Sequence, residues 1–267
     1  MRTILSDLGL ESPLVGMAVT AHIKSSGRDG LMCTVYDAAT GQGREAVLPR
    51  ADAYNLPEGV APPRLKAGDT VIALVVGVSS VVPDAAAPDA AQAGTERLML
   101  SATTPELVER ILSGFVDEIL TGDVVIKGVA RVPGAKTKIA VAPTRPGVEA
   151  KGACIGRGAS RLKGAESLLN RSFGREKLEI IEYSSDRAAF LVNAMNPVQV
   201  TGVLVEGDNA VAAVETHQLS GGIGEGGLNA QLAGRLTGLY VRVVKGGTDL
   251  RAALTKLQAD RAAAETT

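Results

Sequence analysis

The most constraining feature of this sequence is an internal duplication in its second half. Two glycine-rich segments, GACIGRGASRL at 152–162 and QLSGGIGEGGLNAQLAGRLTG at 218–238, each join two stretches predicted to be helical. Two predicted strands precede each pair of helices and a third strand follows it. The order strand, strand, helix, loop, helix, strand therefore occurs twice, and this predicts two copies of one small α+β module.

The loop between the two helices of each module has the composition of an RNA clamp. A helix, a Gly-x-x-Gly loop and a second helix form the nucleic-acid site of a KH domain. Glycines let the backbone approach a sugar-phosphate chain, and the free N–H groups at the start of the second helix face the phosphates. The two tetrads are Gly156, Arg157, Gly158 and Ala159 in the first module, and Gly224, Glu225, Gly226 and Gly227 in the second.

The charge distribution supports phosphate binding at the first loop. The formal net charge of the chain is −1, but residues 124–177 contain twelve basic and three acidic residues, a local net charge of +9. Such a concentration is the electrostatic footprint of a nucleic-acid site, whereas a merely solvated surface usually mixes both signs. We predict that Arg161 and Lys163 join the first clamp and that Asn229 joins the second. The residues predicted to extend the basic face are Lys127, Arg131, Lys136 and Lys138.

The first hundred residues predict a small β-barrel. Five short runs rich in β-branched residues are separated by Gly, Asp and Pro clusters, which is typical of a five-stranded OB-fold. The Ala/Pro/Asp-rich stretch 82–96 predicts a flexible loop inserted in the barrel. The predicted fold class is α+β multidomain, with an OB-fold barrel at 1–104, KH domains at 105–196 and 197–246, and a helical tail at 247–267.

The order and spacing of these motifs resemble the NusA family. The stretch GVARVPGAKTKIAV at 128–141 is similar to the family signature that leads into its first KH domain, and EKLEIIEYS at 176–184 is similar to the last strand of that domain. The resemblance implies an S1-type barrel, two type II KH domains, and single-stranded RNA as the ligand during transcription. It also implies a bacterial factor that modulates elongation, termination or antitermination. The two isolated cysteines fit a reducing cytoplasm, and nothing in the sequence demands more than a monomer. RNA polymerase and other elongation factors are its implied partners.

Three departures from the family pattern modify these expectations. Ala159 replaces the last glycine of the first tetrad, and Glu225 stands where a basic residue is expected in the second. The first KH domain is therefore predicted to dominate RNA contact. About a dozen residues precede the first predicted strand, so the family's N-terminal polymerase-binding domain is expected to be missing. Tyr36 and Tyr54 are the plausible stacking residues of the barrel, and core packing is an equal alternative for each.

Two other function classes have weaker support. Gly222, Gly224 and Gly227 form a G-x-G-x-x-G pattern, but THQLS separates it from the preceding strand, which disfavours a dinucleotide-binding enzyme. No catalytic triplet or metal-ligand cluster is visible, so no enzyme activity and no cofactor are predicted. Cys33 and Cys154 are expected to be buried free thiols, and no segment is long and apolar enough to span a membrane. The serious alternative is a diverged KH/OB module that binds a protein.

Overall fold

A five-stranded closed barrel occupies the first part of the chain. The computed structural model describes residues 14–27, 30–37, 40–51, 65–80 and 96–265. The barrel order is β1-β2-β3-β5-β4, in which β3 pairs with β5 in parallel and β1 closes on β4 in an antiparallel manner. This is the five-stranded barrel predicted from the sequence. Its strands are β1 (Ala18–Ser26), β2 (Gly30–Tyr36), β3 (Gly43–Pro49), β4 (Thr70–Ser80) and β5 (Glu96–Ser101).

Alternating side chains build the barrel core. In β1, Ala21 and Ile23 are buried, while His22 between them faces solvent, as the period of two in a strand requires. Leu31 of β2 and Leu98 of β5 are also fully enclosed. Cys33 is a buried free thiol, as predicted from the sequence. Burial raises the pKa of this thiol to about 11, which makes it unreactive. The predicted loop at 82–96, apart from Glu96, and Tyr54 lie outside the described residues.

Two modules of the same element order follow the barrel. Each has a three-stranded sheet, with the orders β6-β7-β8 and β11-β10-β9. In the second sheet β10 pairs with β9 in an antiparallel and with β11 in a parallel manner. The duplication predicted from the sequence is confirmed. The first module contains α1 (Pro105–Ser113), α2 (Asp117–Leu120), β6 (Val124–Val132), β7 (Lys136–Pro143), α3 (Ala150–Ile155), α4 (Ser160–Phe173) and β8 (Lys177–Glu182). The rest comprises α5 (Arg187–Ala194), β9 (Val200–Glu206), β10 (Asn209–Val214), α6 (Leu219–Ile223), α7 (Leu228–Thr237), β11 (Tyr240–Lys245) and α8 (Leu250–Glu265).

The chain divides into two compact units, and one boundary between them falls within helix α4. One unit comprises 1–115, 132–135 and 163–177, and the other comprises 116–131, 136–162 and 178–267. Within the first unit, the buried Ser172 hydroxyl donates to Ile72 O (3.2 Å) and accepts from Ile72 N (2.7 Å). A Cβ on Gly164 would lie 2.5 Å from the Phe115 ring, so a glycine is needed in this helix.

Helix α5 packs with the second module. Phe190 and Leu191 share an apolar cluster with Ala233 of α7 and with Leu239. The same cluster contains Ala140 of β7 and Ile181 of β8, so α5 also packs with the first module, in which the sequence analysis placed it with a boundary at 196. The predicted domain bounds themselves stay predictions.

The predicted C-terminal helix is confirmed as α8, which packs on the second sheet. Leu254 and Leu257 are buried against Val211, with Leu204 and Val244 beside them. Arg242 pairs with Asp260 at 2.6 Å at the margin of this contact. Among the described helices, none is both long and apolar enough to cross a bilayer.

Candidate nucleic-acid interface

The two glycine loops have the same backbone conformation. Gly156 (φ 73°, ψ 169°) matches Gly224 (φ 80°, ψ 166°), and Gly158 (φ 59°, ψ 23°) matches Gly226 (φ 57°, ψ 21°). In both modules a short helix ends at the first glycine and a longer helix begins after the tetrad. The helix-loop-helix arrangement predicted from the sequence is therefore present twice. It also removes the dinucleotide-binding alternative, because helix α6, and not a strand, leads into the G-x-G-x-x-G pattern.

The first and second glycines of each loop are needed for different reasons. A Cβ on Gly156 would lie 2.9 Å from Arg161 Cγ, and a Cβ on Gly224 would lie 2.5 Å from the backbone N of Asn229. These two positions combine a left-handed φ with a close approach inside the protein. Gly158 and Gly226 also have a left-handed φ, but a Cβ added at either glycine would meet no atom within 4 Å. The space beside these two glycines is therefore open.

Ala159 adopts a conformation that favours glycine. Its φ is 62°, and it is the one non-glycine residue with a positive φ in the described parts of the chain. Gly227 at the matching position of the second loop has a φ of 80°. A left-handed conformation costs an L-residue about 1–2 kcal/mol. The loop therefore keeps the shape of the four-residue tetrad despite the alanine, at an energetic cost.

Three basic residues at the first loop have different environments. Arg157 is exposed and forms no ion pair within the described residues, and Lys163 is also exposed. Arg161 is half-buried, and its Nη1 donates to Ala153 O and to Glu118 Oε2, both at 2.8 Å. The pKa of Glu118 is lowered, first by a hydrogen bond with its own backbone and second by the hydrogen bond from the Arg161 guanidinium. Of these three residues, Arg157 is the one that lies within the tetrad itself.

The second loop has no basic side chain in its tetrad. Glu225 is exposed at the position of Arg157. Asn229, predicted to join the second clamp, lies below the loop with 3% of its surface exposed, and its Nδ2 donates to Gly222 O at 3.2 Å. Its buried Oδ1 has no hydrogen-bond partner within the described residues. Asn229 therefore lies inside the fold, and its predicted RNA contact stays a prediction that this burial disfavours.

Only some of the residues predicted to form the basic face are exposed. Lys127 is exposed, with Nζ 5.5 Å from the centroid of the Tyr183 ring. Arg131 is 7% exposed, and Lys138 is completely buried. Lys138 donates to Glu179 Oε2 at 2.6 Å, and Lys136 donates to the other oxygen at 2.7 Å. Arg131 and Lys138 therefore do not form part of an exposed surface, and their predicted RNA contact stays a prediction.

Two tyrosine side chains outside the glycine loops are exposed. Tyr36 on β2 is 55% exposed and packs edge-to-face with His22, at a centroid distance of 5.3 Å. The alternative of core packing for Tyr36 is wrong. Tyr183, which the sequence analysis missed, is 41% exposed and packs edge-to-face against Phe190 at 5.1 Å. Its position directly after the last strand of the first module was the available signal.

Comparisons with known proteins match this architecture. Residues 102–183 match the model of the NusA-like first KH domain, and residues 187–249 match that of the NusA-like second KH domain. "Transcription termination/antitermination protein NusA" of Mycobacterium tuberculosis (strain ATCC 25618 / H37Rv) is 44% identical over 149 residues, which are 55% of this chain and 42% of that protein. The protein of the same name from Thermus thermophilus is 40% identical over 53% of this chain and 36% of its own length. The Bacillus subtilis protein is 36% identical over 58% of this chain and 41% of its own length.

The matching regions cover less than half of each relative. A solved structure, "Crystal structure of APE1850", aligns with 51% of this chain and 96% of that chain at 25% identity, with a TM-score of 0.36. That score is too low to support a conclusion about the fold. The sequence relatives and the two domain models agree with each other, and the five-stranded barrel fits the S1-type OB-fold expected before them. This chain is therefore a relative of the NusA proteins, with an OB-fold barrel followed by the two NusA-like KH domains.

Proposed function

We propose that this protein binds single-stranded RNA and acts on transcription as a NusA-like factor, through contacts to the nascent transcript. The observation that supports this proposal most directly is that the two Gly-x-x-Gly-type loops share one backbone conformation. The first of these loops has the exposed Arg157. Four nucleotides is the usual length that such a loop and its groove hold. In this proposal the open side of Gly158 lets the RNA backbone come close to the loop, while Arg157 pairs with a phosphate.

The proposed setting follows the relatives. They are named as transcription termination/antitermination proteins, and this supports a role in elongation, termination or antitermination. We propose a cytoplasmic monomer that binds RNA without catalysing a reaction. RNA polymerase and elongation factors are further proposed partners, and the barrel with the exposed Tyr36 is a second proposed RNA contact.

The first test is binding of a short single-stranded RNA, measured by fluorescence anisotropy at about 50 and 200 mM salt. We expect micromolar or tighter binding at low salt that weakens as the salt concentration rises, because phosphate contacts release counterions. Arg157→Glu should weaken binding to all sequences alike. Arg175→Glu is the matched control, since Arg175 is also exposed and lies beyond the other end of helix α4.

A protein-binding role is the second candidate function. Ala159 and Glu225 favour it, because one adds a methyl group and the other a negative charge where an RNA backbone would approach. An apolar protein interface changes little with salt, whereas phosphate binding weakens steeply. Absence of RNA binding at low salt would favour this alternative. Equal weakening of RNA binding by Arg157→Glu and Arg175→Glu would instead mean that overall charge, and not the first loop, governs RNA binding.

A further inference from the structure

Beneath the first loop, Arg161 connects three segments of the first KH domain. Its Nη1 donates to Ala153 O, in the helix before the loop, and to Glu118 Oε2, on helix α2. Arg161 itself lies near the start of α4, the helix after the loop. One guanidinium nitrogen therefore connects the two helices that the loop separates and fastens both to a third element.

The loop backbone lies directly against the stem of this arginine. A Cβ at Gly156 would be 2.9 Å from Arg161 Cγ, 3.1 Å from its Cβ and 3.2 Å from its Cδ. The aliphatic part of Arg161 thus supports the first residue of the tetrad from below. Arg157, in contrast, is exposed on the loop itself.

The second KH domain uses the same position in the same way. Asn229 stands five residues after Gly224, as Arg161 stands five residues after Gly156, and it too donates to a carbonyl of the preceding helix, that of Gly222. A Cβ at Gly224 would be 2.9 Å from Asn229 Cβ. Asn229 is buried and carries no charge, so this position supports the loop in the second domain without a phosphate contact.

We propose that Arg161 and Glu118 form a positioning pair for the first loop, and that neither side chain contacts RNA directly. This inference rests on the proposed RNA-binding function and assigns a role within that site. Arg161 holds the carbonyl end of α3 against α4, and Glu118 fixes the guanidinium. Phosphate pairing at the first loop then belongs to Arg157.

The opposite hypothesis is that Arg161 is a phosphate ligand which Glu118 withholds from RNA. The two hypotheses predict opposite signs for Glu118→Gln. If Glu118 withholds the arginine, removing its charge strengthens RNA binding. If the pair positions the loop, Glu118→Gln weakens RNA binding, although the variant removes a negative charge from a site that binds an anion.

A second carboxylate–arginine pair in the same domain is the matched control. Asp123 accepts from Arg145 Nε at 2.7 Å and from its Nη2 at 3.0 Å, and the pair involves no residue of the loop or of its two helices. The side chains of Asp123 and Glu118 are 28% and 33% exposed. Asp123→Asn therefore removes the same charge and breaks a comparable ion pair, and we expect it to leave RNA affinity unchanged or slightly higher.

The experiment measures the affinity of the full chain for a short single-stranded RNA across a salt series. We expect Glu118→Gln and Arg161→Gln to weaken binding by roughly tenfold, the scale of one lost charge-assisted hydrogen bond, with an unchanged salt slope. Arg157→Gln should instead flatten the slope by about 0.7, the value for one phosphate contact on a single strand. Tighter binding by Glu118→Gln, or a slope change for Arg161→Gln equal to that for Arg157→Gln, overturns the proposal.

Amide hydrogen exchange of the free protein tests positioning without RNA. Faster exchange at Gly156 and Ala159 in Glu118→Gln, but not in Asp123→Asn, is the expected result, because Gly156 N donates to Gly152 O and Ala159 N donates to Gly156 O. Unchanged exchange in a folded Glu118→Gln variant contradicts the proposal. If the wild-type chain binds no RNA, the proposed function fails, whereas this measurement still decides whether the pair positions the loop.

Discussion

At the scale of single residues, the two loops differ most informatively at their last position. Ala159 and Gly227 both have a left-handed φ, at 62° and 80°, but only glycine adopts that region without steric cost. The first loop therefore keeps its conformation because the flanking helices and the Arg161 contacts determine it. An alanine in such a position stores strain that a substitution can release.

Ala159→Gly should stabilise the protein by about 0.5–1 kcal/mol, because relief of the left-handed strain exceeds the greater chain entropy of glycine in the unfolded state. It should also tighten RNA binding, since a methyl group leaves the proposed approach path. Urea unfolding and RNA anisotropy measure the two effects. Ala153→Gly, in the adjacent helix α3, is the control and should destabilise by about 1 kcal/mol. A destabilised Ala159→Gly variant would contradict the strain argument.

The sequence predicted the loop residues better than the lysines around them. Glycine spacing is a local pattern, so the two tetrads could be located from the sequence. The positive φ values of their glycines agree with this prediction. Lys136 and Lys138 are two residues apart in a strand and therefore share one face, which the sequence also shows. That this face meets Glu179 of β8 depends on which strands become neighbours, and the charge count alone could not indicate it.

At the scale of secondary-structure elements, a buried charge cluster joins strands β7 and β8. Lys138 has no exposed side-chain surface, and its Nζ donates to Glu179 at 2.6 Å and to Asn196 O at 3.2 Å. Burial lowers the pKa of Lys138 and the nearby carboxylate only partly offsets this. Burial alone would raise the pKa of Glu179, but the two lysines lower it below its usual range. The stability of this strand pair therefore depends on the carboxylate.

Glu179→Gln should destabilise the protein by about 3 kcal/mol, because it leaves a fully buried ammonium without a counter-charge. Lys136→Met is the control: its side chain is 25% exposed and Glu179 keeps Lys138, so about 1 kcal/mol or less should be lost. Chemical denaturation of both variants gives the comparison. Equal losses of stability in the two variants would show that the burial of Lys138 does not determine the size of the loss.

The same cluster predicts an acid-sensitive contribution to stability. A carboxyl group whose pKa is lower in the folded than in the unfolded state stabilises the fold above its unfolded pKa, near 4, and this contribution disappears as the pH falls through the folded pKa. The lowered pKa of Glu179 therefore predicts a loss of stability below about pH 5. Unfolding measured from pH 7 to pH 3 should show a shallower decline for Glu179→Gln than for the wild type. An identical decline in both proteins would contradict this contribution.

At the scale of the whole molecule, the formal charge of −1 does not show that two loops of the same conformation carry opposite charges. The first presents the exposed Arg157, and the second presents the exposed Glu225. The order of barrel and modules could be predicted from strand and helix patterns, because each module is a local unit. The packing of helix α5 with the second module could not be predicted, since it depends on an apolar cluster that brings Phe190 and Leu239 together from distant segments.

Glu225→Arg should convert the second loop into a phosphate-binding loop. The backbone already matches the first loop, so the change removes one repulsive charge and adds one phosphate contact without rebuilding the site. We expect severalfold tighter RNA binding and a salt slope steeper by about 0.7. In the Arg157→Glu background the same change should restore much of the lost affinity. Glu215→Arg, an equal charge change at an exposed residue outside the tetrad, is the control in the same anisotropy titrations. Equal gains from both arginines would mean that overall charge, and not the shared loop conformation, governs RNA binding.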